Sequence, residues 1–403
     1  MSQSTRNLVV IVLSGSLILF IAFGIRSAFG LFLQPMSADL GWGREVFALA
    51  MAIQNLVWGA MQPVAGMIAD RFGAARTLAV FTLLYFLGLL LMAATSEPWT
   101  FHLSAGLLIG IGLAGCSFGV VLGAVGRAVD EKYRSLALGI GTALGSAGQF
   151  AMVLIGQELL SAFGWQNAFL ILAAIVLVML PLAFGLRSAT PVADHAETQS
   201  LGAAIGEARR HGGFLLLTAG FFVCGFHLAF IAVHLPAYLV DAGLPAATGA
   251  WALALVGLAN IVGSFAAGIA GGRYSKKYCL SLIYLARSAV IIAYIALPIT
   301  TLSTMLFAVG MGLLWLSTVP LTSGLVAQIF GPRYMSTLFG FVFFSHQVGS
   351  FLGVWLGGYF YDTTGSYDGV WWISIGLGVA AALLHWPIDD RSVRNVAEAP
   401  GRA

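Results

Sequence analysis

Twelve stretches of this chain, at roughly 8–33, 45–69, 76–95, 99–126, 135–160, 165–186, 213–239, 247–272, 279–299, 302–329, 335–360 and 369–387, are almost free of charge. This is the feature that most limits what the chain can fold into. A hydrocarbon core about 30 Å thick is crossed by a helix of about 20 apolar residues, and each stretch is long enough. Composition agrees: 59% of the 403 residues are hydrophobic and 9% are charged, whereas soluble chains run near 45–50% and 25%. A disordered chain would need the opposite balance, and 50 glycines without a triplet period exclude collagen. The expected fold is an all-α polytopic membrane protein in contact with a lipid bilayer. The first stretch, continuous from Leu8 to Leu33, is too long for a cleaved signal segment and is expected to stay as span one.

The charges that remain are sorted by side. If the N-terminus is cytoplasmic, sixteen of the nineteen basic residues fall in or beside cytoplasmic loops, Arg44 alone lies in an outer loop, and Arg26 and Arg287 fall within spans. Cytoplasmic loops collect Lys and Arg, so both termini are expected inside a cytoplasmic (inner) membrane. The segment 188–212, with Asp194, His195, Glu197, Glu207, Arg209 and Arg210, is the one long polar linker. It divides the spans into two six-helix bundles, 1–187 and 213–403.

The halves are related. Shifted by 201–202 positions, Gly24, Ala28, Phe29 and Pro35 meet Gly225, Ala229, Phe230 and Pro236; Gly66, Arg71 and Phe72 meet Gly268, Arg273 and Tyr274; Ser135, Gly139 and Gly148 meet Ser336, Gly340 and Gly349. Six helices separate the partners, so the repeats share one orientation. That is the plan of carriers in which two bundles rock about a central site.

The loop Gly66-Met-Ile-Ala-Asp70-Arg71-Phe-Gly73-Ala-Ala-Arg76 resembles the G-x-x-x-D-R-x-G signature of the major facilitator superfamily, between its second and third helices. A degenerate copy runs from Gly268 to Lys277. The resemblance covers essentially the whole chain and implies twelve transmembrane helices. It also implies a conformational switch at Gly66, Asp70, Arg71, Gly73 and Arg76, with Arg273 in the second copy; the alternative is an ordinary capped turn. Within the superfamily, Gly24-Ile-Arg26-Ser27 and Gly41-Trp42-Gly43-Arg44 are similar to the monocarboxylate and oxalate/formate group. Span eight, Leu255 to Ser264, lacks the Arg that group often carries there, so binding through an eighth-span Arg is not implied. Span five lacks the Gly-Pro step of the drug/proton antiporters.

An ionisable residue deep in a span is costly and a functional candidate. Arg26 presents a planar fork suited to a carboxylate, and snorkelling to the outer face is its alternative. Arg287, about eight residues into span nine, could reach the cavity or snorkel to the cytoplasmic surface. His227 is the repeat partner of Arg26, and His346 with Gln347 sits mid-span on span eleven. Gln149 on span five is close to their counterpart, and Asn55 and Asn260 lie mid-span on spans two and eight. These amides suit either a ligand or the hydrogen-bonded glue between helices. All acidic residues fall in loops or at span ends, so a transported proton would fall to His227, His346 or the substrate's own carboxylate.

Other patterns exclude functions. Gly110-Ile-Gly112-Leu-Ala-Gly115 lies inside a span with no strand before it and is no dinucleotide site. With Gly106, Gly119 and Gly123 it forms small-residue faces expected to pack against the glycines of span five. No P-loop occurs, three scattered cysteines form no metal motif, and three lysines make no nucleic-acid surface. No cofactor is expected. Tyr238, Trp251, Tyr359, Tyr361, Trp371 and Trp372 are expected as interfacial anchors, and Phe32, Trp58 and Trp315 as core packing. The reading is a secondary carrier of a small organic anion, a monocarboxylate first, working as a monomer by alternating access with proton coupling or anion exchange. Its alternatives are a drug/proton antiporter and, in another class, a non-transporting sensor or intramembrane enzyme.

Overall fold

The computed structural model describes residues 3–129, 131–187, 201–331 and 335–392. Among them are α-, 3-10 and π-helical segments and no strand. The spans are Leu8–Leu40, Arg44–Phe72, Ala74–Ala93, Pro98–Gly126, then Ala137–Phe184 counted as two, then Gly212–Asp241, Ala246–Arg273, Lys276–Ala296, Thr301–Phe330, Thr337–Thr364 and Asp368–His385. Gly164, with φ 73°, splits the long helix into spans five and six. A positive φ is costly for residues with a Cβ and free for glycine, so the chain can reverse there without a loop. Gly73, at φ 87°, does the same between spans two and three. Large apolar side chains such as Phe265, Leu282, Leu302 and Leu383 point outward at 67–73% exposure, as a lipid-facing surface requires.

The repeat seen in sequence is built into the packing. In the first bundle span one packs against span five, and in the second span seven packs against span eleven. A Cβ at Gly24 would strike the Gly148 carbonyl at 2.6 Å, and one at Gly148 would collide with the Phe20 carbonyl. Their repeat partners Gly225 and Gly349 lie equally close to the carbonyls of His346 and Phe222. Spans four and ten are broken at corresponding places, around Cys116–Ser117 and around Trp315–Ser317.

The glycines of span four behave differently from expectation. Gly106, Gly110 and Gly119 lie against Ile53, Gln54 and Gln62 of span two, and Gly112 and Gly115 against Tyr85 and Phe81 of span three. On span five, Gly148 is taken by Phe20 of span one, while span four meets Gly141 and Gly145 through the side chains of Leu122 and Phe118 rather than through its own glycines. The aromatic anchors also need a correction. Trp251, Tyr359 and Trp372 are 43–62% exposed, but Trp371 is 1% exposed and packs against Phe230, Tyr238, Tyr294 and Phe307. Neighbouring spans cover its ring before lipid can reach it.

The bundles meet along two seams, span two against span eleven and span five against span eight. Of the polar connection between them, 201–210 is a short helix and His211 caps span seven by accepting from the Phe214 N–H. Residues 188–200, Arg333, Arg394 and Arg402 lie outside the described residues.

Candidate functional site

At the middle of the span-two seam, Arg26 is half-buried. Its Nη2 donates to Asn55 Oδ1, while the Asn55 amide nitrogen donates back to the Met51 carbonyl at 2.8 Å. The guanidinium lies over the Trp58 ring, 4.9 Å from the centroid. Trp58 is fixed in turn: its indole N–H donates to Gln62 Oε1 at 3.0 Å, and Ser117 donates to the same oxygen at 2.8 Å. Asn55, Trp58 and Gln62 share one helical face because they are spaced three and four apart. Gln62 was not singled out in the sequence, although that spacing could have found it.

Span eleven supplies the opposite wall. Gly59, one turn beyond Asn55, leaves room for the Gln347 side chain, whose Cβ would lie 2.7 Å from a Cβ there. Gln347 is fully buried; its Oε1 takes the hydrogen bond of His346 Nδ1 at 3.0 Å, and its Nε2 has no partner. Arg26 Nε is also without a partner. His346 stacks on Phe343 at 5.7 Å, and Phe343 meets Trp58 edge-on at 5.5 Å across the seam. Arg26, Asn55, His346 and Gln347 are thus brought to one place. Among the described residues no carboxylate pairs with Arg26.

The other candidates sit elsewhere. Gln149 lies on the second seam, its Cβ 3.1 Å from where a Cβ on Gly257 would be. Asn260 bridges that seam to Ser146 at 3.1 Å and accepts the Leu316 N–H at 2.9 Å. Arg287 neither reaches the cavity nor snorkels: it is fully buried in the second bundle. There it donates to the carbonyls of Leu314, at 2.6 and 3.2 Å, and Trp315, at 2.6 Å. Those are the groups that the break in span ten leaves without helical partners, so Arg287 and Asn260 satisfy its two sides. His227 is fully buried and donates to the Ser374 carbonyl of span twelve at 2.7 Å. Although it aligns with Arg26 in the repeat, it faces away from the seam.

The ends of the seams differ. At the end away from the termini, Arg44 pairs with Asp241 of span seven at 2.6 and 2.7 Å and donates to Tyr367 Oη at 2.9 Å. Its guanidinium lies 3.7 Å over the Tyr361 ring. Asp362 of span eleven accepts the backbone N–H groups of Arg44 and Glu45 at 2.9 and 2.8 Å. Span two has no side-chain cap of its own, so its N-terminal donors are satisfied from the other bundle. Trp355 adds a bond to Glu45 at 2.9 Å. In sequence, Arg44 stands out as the one outer-loop cation and as part of Gly41-Trp42-Gly43-Arg44, with nothing to indicate its partners.

At the terminal end Asp70, Arg71, Arg76 and Arg273, expected from the resemblance as a switch, are exposed, and Arg71 lies 5.3 Å over the Phe72 ring. Gly66, Gly139, Gly268 and Gly340 would each offer a Cβ open space. The bundles therefore meet at one end and stand apart at the other, with Arg26 between.

Comparison with known proteins agrees with this architecture. Residues 15–354 match the model of the Major Facilitator Superfamily. An uncharacterised MFS-type transporter of Bacillus subtilis is 27% identical over 360 residues, covering 85% of each chain. Monocarboxylate transporter 13 of Bos taurus is 26% identical over 392 residues, 94% of this chain and 89% of the relative. Human monocarboxylate transporter 11 is 27% identical over 368 residues, 86% and 74% of the two. Among solved structures, a bacterial homolog of the human lysosomal transporter Spinster, in an inward-facing and occupied conformation, superposes with TM-score 0.77 at 15% identity, covering both chains fully. At that identity the likeness concerns the fold.

Proposed function

Because the chain belongs to the major facilitator superfamily, and is thus a multi-pass membrane transporter with a small-molecule substrate, we propose that it carries small organic anions of the monocarboxylate class. The observation that carries this reading is Arg26: a guanidinium half-buried between the bundles, paired with an amide and no described carboxylate, with one nitrogen unpartnered. A cation in that setting is stabilised by a ligand carboxylate. Gln347 Nε2, unpartnered on the opposite bundle, adds a second donor. The names of the mammalian relatives point the same way.

In this reading the two units, 1–187 and 213–403 joined by 188–212, rock about the substrate as separate bodies. Both termini are cytoplasmic, so the open end faces the cytoplasm, and the loop from Gly66 to Arg76 and the Arg273 loop close that end in the alternate state. One copy suffices. A proton that travels with the anion resides on the substrate carboxyl or on His346, which touches the site through Gln347.

The test is counterflow in proteoliposomes with labelled lactate, pyruvate, oxalate, formate and aromatic acids. Arg26→Gln should cut exchange at least about tenfold, the loss expected when a hydrogen bond to a charged group is removed, with the protein still folded and inserted. Full exchange by that variant would remove Arg26 from the site; export of dyes with no acid exchanged would favour the drug antiporter.

A further inference from the structure

We infer that the Arg26 site selects carboxylic acids bearing an aromatic ring over short hydroxy and keto acids. The inference rests on Arg26 as the carboxylate anchor and adds what lies beside it.

Four rings form a connected cluster that begins at the guanidinium. Trp58 lies under it, Phe23 meets Trp58 edge-on at 5.7 Å, Phe118 packs on Phe23 at 4.4 Å, and Phe343 meets Trp58 at 5.5 Å from the other bundle. Phe118 and Phe343 are partly exposed, one on each bundle. Each ring is held before any ligand arrives: Trp58 by Gln62, Phe118 by Phe23, and Phe343 by the parallel His346 ring, inclined 8° to it. Fixed walls spare a ligand the cost of ordering side chains.

The polar groups of the site narrow the choice further. The amide oxygens of Asn55, Gln62 and Gln347 are already engaged, by Arg26, by Trp58 and Ser117, and by His346. What remains are donors, Arg26 Nε and Gln347 Nε2. A ligand that completes this site brings acceptor oxygens at one end and a body that asks for no hydrogen bond. A benzyl or phenethyl acid fits, because its ring can pack edge-to-face on Trp58, Phe118 and Phe343. A hydroxy acid such as lactate adds a hydroxyl hydrogen where every amide oxygen already holds a bond, and it leaves the rings uncovered. Specific sites of this kind combine an apolar wall with few, placed polar groups.

The experiment is calorimetric titration of the purified full-length protein in detergent with two matched pairs, propionate against 3-phenylpropionate and lactate against 3-phenyllactate. The phenyl acid of each pair should bind about tenfold tighter or more. In Phe343→Leu and Phe118→Leu, one in each bundle and each checked for folding by thermal unfolding, the ratio should fall below about threefold. In Trp372→Ala, on the lipid-facing surface, it should be unchanged. Ratios within about twofold in the wild type, or a ratio that survives both ring substitutions, would overturn the selectivity while leaving the anion reading intact. Binding of no acid, short or aromatic, overturns the anion reading and the inference with it.

Discussion

The same two bundles meet at one end of the molecule and part at the other, and different chemistry stands at each. At the closed end, Gly30 of span one lies so near Ala232 of span seven that a Cβ would collide with its carbonyl, and Gly358 sits against Ala48 and Glu45. Around these close approaches Arg44, Asp241, Asp362 and Tyr367 form a compact network, and Tyr367 hands its own hydrogen to His234 Nδ1 at 3.3 Å. At the open end the corresponding seam residues are small and unopposed, and the arginines face outward. Closure at the first end rests on backbone contact plus a buried ion pair. The second end keeps exposed charge and empty space. The ion pair at the closed end is bidentate, with Arg44 shielded from water and Asp241 partly exposed, an arrangement that is strong in place and whose partners would regain water if the seam opened.

Substitutions at three positions would break or sharpen that contrast. The largest effect is expected from Gly30→Leu. Its side chain has no room beside Ala232, and overpacking costs about 1–3 kcal/mol, so the closed end should be forced apart. A cysteine placed at Ala48 would then react with a polar maleimide about tenfold faster or more, and transport should fall; unchanged labelling would show that the contact does not hold the seam. Next comes Arg44→Ala. It leaves Asp241 unpaired and the Asp362 cap without its neighbour, and the labelling rate should rise about fivefold to tenfold. Arg44→Lys should restore little, because an ammonium cannot make the bidentate bonds and lie flat on Tyr361; full recovery would reduce the latch to simple charge. The smallest effect is expected at the other end. Gly66→Ala fills open space and should leave the thermal midpoint within about 1 °C. Gly66→Leu should be equally neutral for stability but slow exchange, because it obstructs the closing of that end. A loss of stability in either variant would mean that the open end is packed in the resting protein.

Much of this was legible without coordinates. The charge-free stretches located the spans, and the offset of 201–202 residues paired Gly24 with Gly225 and Gly148 with Gly349, whose packing roles are indeed the same. A glycine that admits a crossing helix leaves a trace in sequence because no other residue fits. Facing is a different matter. Arg26 and His227 occupy equivalent positions, yet one points into the seam and the other towards span twelve. A helix position fixes direction only relative to its own axis, and the neighbours decide what lies there. Arg287 makes the point most sharply. Its depth in span nine was readable, but the carbonyls it serves are left without helical partners only because span ten breaks at Trp315, 28 residues further along the chain.

The sequence by itself determined that this chain crosses a membrane many times, that its halves repeat, and that Arg26 lies inside a span. These follow from local quantities: hydropathy, spacing and the absence of charge, each summed over neighbouring residues. Only the tertiary structure decided that Arg26 meets an amide and an indole ring, with no described carboxylate beside it, and that Arg44 joins the bundles. It also decided which end stands open. Such facts depend on contacts between residues up to 323 positions apart, where the geometry of packed helices, and no pattern along the chain, sets which groups meet.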